Sequence, residues 1–357
     1  MSLPFTSPPE SLCLLRLSAL GDISHSLPVV RTIQRHWPQT RLSWIIGRSE
    51  HALVADLPGV EFIIFDKRRG WHAYRDLRRQ LKQRRFDALL HMQMSLRASM
   101  IAMLVQSPIK LGFDRQRAKD LQWLFSNHKI AYQPNQHVIE SFLGFSQALG
   151  IPETVMQWDI PLPDSAREFA RRQLPADKKI LAISPCSSMA YRNWDIEGYA
   201  QLADYAATKY DMTIVLTGGP STIEREYADA IQHSCRTRVI DLVGRTSVKE
   251  LLAILAASSV LLAPDSGPAH LATAVATPVI GLYAATNPDR ARPYLSSDYV
   301  VNCYPEAIMR TLHKTVQDVP FGTRVRQEGT MSLISVEMVK RTLDRLIANL
   351  TNTDSTG

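Results

Sequence analysis

The sequence predicts an α/β protein made of two doubly wound halves, and three observations predict it. Short apolar runs alternate with helix-period segments along nearly all of the 357 residues, the pattern of a parallel sheet covered by helices on both faces. The length suits two domains rather than one. The alternation is broken once, by the proline-punctuated stretch 158–164 (WDIPLPD), which reads as a linker between a domain at 1–160 and a second at 161–357. Two such halves imply a cleft between them, with ligands at the carboxyl ends of the strands.

Composition is that of a globular protein, and the net charge of +7 suggests anionic partners without naming them. Cys13, Cys186, Cys235 and Cys303 are scattered, with no CxxC pair. That fits a reducing, cytoplasmic setting and neither a zinc site nor a disulfide framework. The N-terminus has no basic region leading into an apolar core, so no signal peptide is expected. No apolar run is long enough to span a bilayer. The polar tail after Leu350 is expected to fray.

The elements follow in order. Residues 12–17 (LCLLRL) read as a buried strand, and 18–22 as a glycine turn. Pro28 then suits the first position of a helix (VVRTIQRHW) that Pro38 stops. Short apolar runs at 42–46, 62–65 and 86–91 are further strands, with helical segments near 70–85, 96–105 and 138–149. Gly150, Ile151 and Pro152 close this half. The second half repeats the logic: strands at 180–185, 212–216, 239–243, 260–263 and 278–283, and helices at 196–209, 222–233 and 248–257. A last amphipathic helix spans 335–350, with Val336, Val339, Leu343, Leu346 and Ile347 on one face.

Several strand-end turns carry candidate chemistry. In 264–270 (PDSGPAH) an apolar run stops at Pro264, and an alanine-rich helix begins near Ala269 with Pro268 at its start. Unpaired N–H groups and the helix dipole favour an anion there. Ser266 and Gly267 permit close approach, and His270 adds a donor. An ordinary turn capped by Asp265 explains the same residues. After the strand at 180–185, Ser187 and Ser188 offer hydroxyls to a phosphate and Arg192 a cation. Gly218 and Gly219 leave room for backbone approach. Glu224 is either a surface glutamate or a ligand for a ribose diol. On successive strand ends of one half, these turns point jointly to a nucleotide diphosphate site.

In the first half the turn RLSALGD lacks the GxGxxG fingerprint and its acidic ribose ligand, which argues against a dehydrogenase. Asp22 serves there either as a helix N-cap or as a general base taking a proton from an attacking hydroxyl. His25 reads as a helix-surface residue. Residues 67–85 carry nine Lys and Arg against the single acid Asp76, with Trp71 and Tyr74 among them. Such a run is either a solvated helix face or a docking surface for a phosphorylated or membrane-bound anion. No nucleic-acid-binding module accompanies it, so nucleic acid is not an expected partner. There is no HExxH, no DxD-type pair and no EF-hand loop, so neither metal nor cofactor is expected. A departing diphosphate would then be stabilised by helix dipoles and basic side chains.

RLSALGD (16–22), RNW (192–194), TGGP (217–220), GRTSVKEL (244–251) and PDSGPAHLA (264–272) occur in an order and spacing that resemble the ADP-heptose:lipopolysaccharide heptosyltransferases, glycosyltransferase family nine. The resemblance covers essentially the whole chain. The first half, with WIIG and FDALLHMQ, is most similar to the enzymes that add the first heptose to the inner core (heptosyltransferase I). The resemblance implies a GT-B fold: two Rossmann-like, doubly wound domains facing a central cleft, with the last helix offered to the first domain. It implies metal-independent, inverting transfer of heptose from ADP-heptose to a Kdo sugar of lipid A. The enzyme would be a monomer, cytoplasmic and peripheral at the inner face of the cytoplasmic membrane.

Residue by residue, the resemblance makes Asp22 the general base. It places Ser187, Ser188, Arg192, Gly218, Glu224, Thr246, Asp265, Ser266, Gly267 and His270 around the donor. Ser18, Gly21, Lys67, Arg68, Arg69, Arg97 and Lys119 fall near the acceptor. Three departures stand out. Arg192 replaces a lysine, Thr222 stands where some relatives have a ribose-binding glutamate, and 284–294 (AATNPDRARPY) replaces a GPT-like turn. The irregular segment 304–330 has no counterpart role. The competing readings are a transferase of a later heptose or of another nucleotide sugar, an epimerase of the same shape, and a two-lobed solute-binding protein. The missing signal peptide and the basic run argue against the last two.

Overall fold

The computed structural model describes residues 3–354, and the chain divides into two compact units at the Pro161–Leu162 junction. The first contains β1 (Ser11–Leu15), α1 (Leu20–His36), β2 (Arg41–Gly47), α2 (Arg48–Val54), β3 (Val60–Phe65) and α3 (Trp71–Leu81). It continues with β4 (Ala88–His91), α4 (Leu96–Leu104), β5 (Ile109–Gly112), β6 (His128–Lys129) and α5 (Val138–Leu149). Its six strands lie in the order β3-β2-β1-β4-β5-β6, each pair parallel. Helices cover both faces, so Leu12, Cys13, Leu14 and Leu15 are all fully buried and the strand reads as an unbroken apolar run.

The second unit opens on α6 (Asp164–Gln173), β7 (Ile180–Ile183), α7 (Ile196–Tyr210), β8 (Thr213–Leu216), α8 (Thr222–Ser234) and β9 (Val239–Asp241). There follow α9 (Val248–Ala256), β10 (Val260–Pro264), α10 (Gly267–Ala274), β11 (Val279–Tyr283), α11 (Pro288–Ala291), β12 (Val300–Asn302), α12 (Tyr304–Leu312) and α13 (Val336–Asp354). Its strand order is β12-β11-β10-β7-β8-β9, again all parallel. Each sheet therefore grows outward both ways from its first strand, reversing direction between β1 and β4 and between β7 and β10. Ligands of doubly wound sheets bind outside the strand ends at these reversals.

Some expectations need correcting. Pro28 lies inside α1 rather than at its start. The first two turns of α1 are buried nearly all round (Gly21 and 23–30), which hides the helical period that an amphipathic helix would show. His25 is buried, its ring edge-on to those of His137 and Phe142, and is no surface residue. The N-cap of α10 is Ser266, not Asp265. The tail after Leu350 continues as helix to Asp354, and 355–357 lie outside the described residues. α13 packs on α7 and β12. Segment 304–330 now has a place: the Val325 N–H donates to the Ala285 carbonyl and Thr286 bridges Arg324, strapping it to the loop after β11.

Candidate functional site

At the reversal in the second unit, the loops after β7 and β10 are bonded together. Ser187 Oγ donates to the Asp265 carbonyl at 2.9 Å, and the Ser187 N–H donates to Asn193 Oδ1 at 2.7 Å. Arg192 comes from the short 3-10 turn that follows (Ala190–Arg192). Its Nη1 lies 3.3 Å from the Asp265 carbonyl and 3.2 Å from Asp265 Oδ2. His270 Nε2 stands 4.0 Å from Asp265 Oδ1. Asp265 is thus the hub of this site, not a helix cap. Ser266 Oγ and Arg192 Nε are buried and hydrogen-bond to nothing among the described residues. Both sit at the N-terminus of α10, whose first N–H groups and dipole favour negative charge. Ser188, next along, is exposed.

Two neighbouring strand ends extend the site. Gly218 follows β8, and its carbonyl accepts the Gly244 N–H, fixing the loop after β9 that carries Thr246. Glu224 caps this arrangement. Its carboxylate accepts the Gly219 N–H at 2.7 Å and the Ser221 hydroxyl at 2.6 Å, while Ser221 caps α8. The glutamate therefore shapes the glycine loop, a role that sequence reasoning did not assign to it.

In the first unit, the reversal brings the turn after β1 beside the segment after β4. Arg16, almost completely buried, donates from Nη1 to the Met92 carbonyl at 2.6 Å, stacks over the Phe142 ring and forms an ion pair with Asp22. Gln93 fixes the same turn. Its Oε1 accepts the Leu17 N–H at 2.6 Å, and its Nε2 reaches Ser18 Oγ at 3.4 Å. Asp22 lies in the first turn of α1, three residues past the cap Ala19, and its carboxylate returns to the Ala19 N–H at 3.3 Å. It remains partly open to solvent. Gly21 precedes it as a buried backbone position. Arg16 and Gln93 fix this turn, and the sequence reading gave neither a place in it. Arg16 stood inside the quoted motif, but its ion pair depends on a pleat direction that sequence alone does not give.

The Ser18 turn also lines a pocket with Gly47, Arg48, Glu50, Asp66, Lys67, Arg68 and Arg97. Gly47 is required there by space: a Cβ would stand 2.5 Å from the Leu17 carbonyl. Asp66 pairs with Arg48 at 2.8 Å and Arg68 at 3.3 Å, and the Arg68 side chain holds its carboxyl below the usual range. Burial pushes the Glu50 carboxyl up. Lys67 and Arg97 make no salt bridge among the described residues. Ser18, Lys67, Arg68 and Arg97 thus meet as one group. Arg69 does not join them. It pairs with Asp76 at 2.5 Å and lines an adjacent pocket. Lys119 is exposed on a turn between β5 and β6 and lines neither pocket. Among the described residues no three His, Cys, Asp or Glu side chains converge to hold a metal ion, and no helix is long and apolar enough to cross a membrane.

Comparison with known proteins bears on the family and the fold. Residues 74–318 match the family described as glycosyltransferase family 9 (heptosyltransferase). The chain is 38% identical over 335 residues to the lipopolysaccharide core heptosyltransferase OpsX of Haemophilus influenzae, covering 94% of this chain and 96% of that one. A glycosyl transferase family 9 structure from Veillonella parvula superposes with a TM-score of 0.79 at 20% identity, over 95% of this chain and 97% of that chain. The Escherichia coli heptosyltransferase WaaC with ADP does so with a TM-score of 0.72 at 20% identity, over 94% and 99%. At such identities the superpositions establish the fold, two parallel six-stranded α/β units of the GT-B kind.

Proposed function

The chain belongs to glycosyltransferase family 9, the heptosyltransferases, and from that premise we propose that it transfers heptose from ADP-L-glycero-D-manno-heptose to a Kdo residue of the lipopolysaccharide inner core, with inversion and without a metal ion. One observation carries the reading: Ser187, Arg192, Ser266 and the N-terminus of α10 converge on one strand-end reversal, with Arg192 opposed there by a single carboxylate, Asp265. That is the arrangement a leaving diphosphate requires.

In this mechanism the acceptor hydroxyl oxygen attacks the anomeric carbon, and the bond from that carbon to the phosphate oxygen breaks. ADP departs with the bonding pair. The hydroxyl proton passes to Asp22, whose carboxylate is held in place by Arg16 and the Ala19 N–H. Charge that develops on the leaving phosphate meets Arg192, Ser266 and the α10 dipole. His270 joins them, with Gly218, Glu224 and Thr246 on the nucleoside side. Ser188 and Gly267 complete the donor loops, and Ser18, Gly21, Lys67, Arg68 and Arg97 hold the anionic acceptor. Arg69 and Lys119, which the structure keeps apart from that pocket, serve it at most from its edge. The enzyme acts as a monomer, peripheral at the inner face of the cytoplasmic membrane.

The test is transfer itself: purified protein, ADP-heptose and defined Kdo–lipid A acceptors, with and without EDTA, read by product mass. One heptose added to a heptose-free acceptor in EDTA is expected. Transfer only to an acceptor that already carries heptose would make this an enzyme of a later step, and a strict magnesium requirement would contradict the metal-free mechanism.

A further inference from the structure

α3 and α4 cover the same face of the first sheet. Ala73, Leu77 and Leu81 of α3 and Ala98, Ile101 and Ala102 of α4 pack into one core over Leu15, Ile45, Ile63 and Leu89. Their outward faces differ from the rest of the surface. On α3 the positions 71, 75, 78 and 82 recur at helical spacing, and they hold Trp71, Arg75, Arg78 and Lys82, all exposed. None of these three cations forms a salt bridge among the described residues; the one acid of the helix, Asp76, is taken by Arg69 and Arg79. Trp71 is 75% exposed, the most exposed large apolar side chain among the described residues. On α4 the positions 96, 100 and 103 form a second stripe of Leu96, Met100 and Met103, with Leu96 and Met103 more than half exposed.

We propose that this face docks onto the surface of a bilayer rich in anionic phospholipid. Unpaired cations along one stripe are attracted to such a surface at short range. A tryptophan with its apolar body in the open settles at the headgroup level, where one end of the ring is dry and the other wet. The apolar face of α3 is committed to the protein core, so attachment uses the outward stripe and does not roll the helix into lipid. The apolar stripe of α4 adds contact with the acyl boundary. The pocket of Ser18, Lys67, Arg68 and Arg97 opens at the start of both helices: Lys67 and Arg68 run into Trp71, and Arg97 adjoins Leu96. Docking on this face brings that pocket to the lipid headgroups. The inference deepens the functional reading by naming the surface through which a lipid-borne acceptor is reached.

Flotation of the full-length protein with vesicles tests it. Vesicles of phosphatidylcholine alone are compared with vesicles that also contain phosphatidylglycerol, without donor or acceptor. Binding to the anionic vesicles and its decline with added salt are expected. R75Q/R78Q/K82Q loses about fivefold in partitioning per cation removed, and W71A loses several-fold. R167Q/R171Q/R172Q on α6, which lowers the net charge by the same amount, keeps wild-type partitioning. All three variants should keep wild-type transfer to a deacylated, soluble Kdo acceptor, so a failure of docking and a failure of the transferase reading are told apart. Equal binding to neutral vesicles would overturn the proposal. So would equal losses from the α3 and α6 variants, or vesicle binding untouched by the α3 changes while binding to RNA is lost.

Discussion

Arg192 and Asp265 face each other across the reversal of the second sheet, with Arg192 Nη1 3.2 Å from Asp265 Oδ2 and 3.3 Å from the Asp265 carbonyl. Both side chains are largely buried. The pair holds a guanidinium at the mouth of the α10 N-terminus, and its buried Nε hydrogen-bonds to nothing among the described residues.

Removing that cation should weaken the hold on the diphosphate. Hydrogen bonds to charged groups contribute about 1.5–3 kcal/mol, so Arg192→Ala should lower kcat/KM for transfer roughly 10- to 150-fold. Arg192→Lys should lose less, because the charge survives while the planar fork does not. Steady-state kinetics with varied donor check both, and unchanged kcat/KM in the alanine variant would remove Arg192 from the donor site.

Lys67 and Arg97 are the uncommitted cations of the first-unit pocket. Lys67→Ala and Arg97→Ala should each raise the acceptor KM about tenfold, near 1.4 kcal/mol, and leave the donor KM unchanged. A rise in donor KM instead would move the pocket to the other substrate.

His91 gives the fold an acid limit. It is fully buried at the end of β4, and burial lowers its pKa from 6.5 to about 4. The unfolded chain therefore binds a proton that the native state refuses between those values. The contribution is intact above pH 6.5 and is lost as pH falls toward 4. The loss amounts to at most about 3 kcal/mol. Denaturant unfolding across that range should show His91→Leu with a shallower decline than the wild type.

The sequence made the sheet architecture legible because the central strands β1, β4, β7 and β10 are mostly apolar runs buried along their whole length. It hid β5, β6 and β12, of four, two and three residues, where Lys110, His128, Lys129 and Asn302 interrupt runs that are already short. α6 went unseen beside the linker because its first turn follows Pro163 and its face is mostly charged. The donor-side turns were readable from their residue types, since glycine, serine and an N-terminal proline announce an anion-accepting helix start. Their bonds to one another were not. That Asp265 serves Ser187 and Arg192, and that Glu224 serves Gly219, depends on which strands neighbour in the sheet. The basic run 67–85 was visible as charge, and only the structure divided it between pocket, core and outward stripe.

The account turns on Asp22, and the most direct measurement is single-turnover transfer by Asp22→Asn beside donor binding by the same protein. Asparagine keeps an oxygen for the Ala19 N–H and loses the basicity. The account predicts a chemical step slower by about 10²–10⁴ with ADP-heptose affinity within a few-fold of wild type. A wild-type rate in that variant would contradict it.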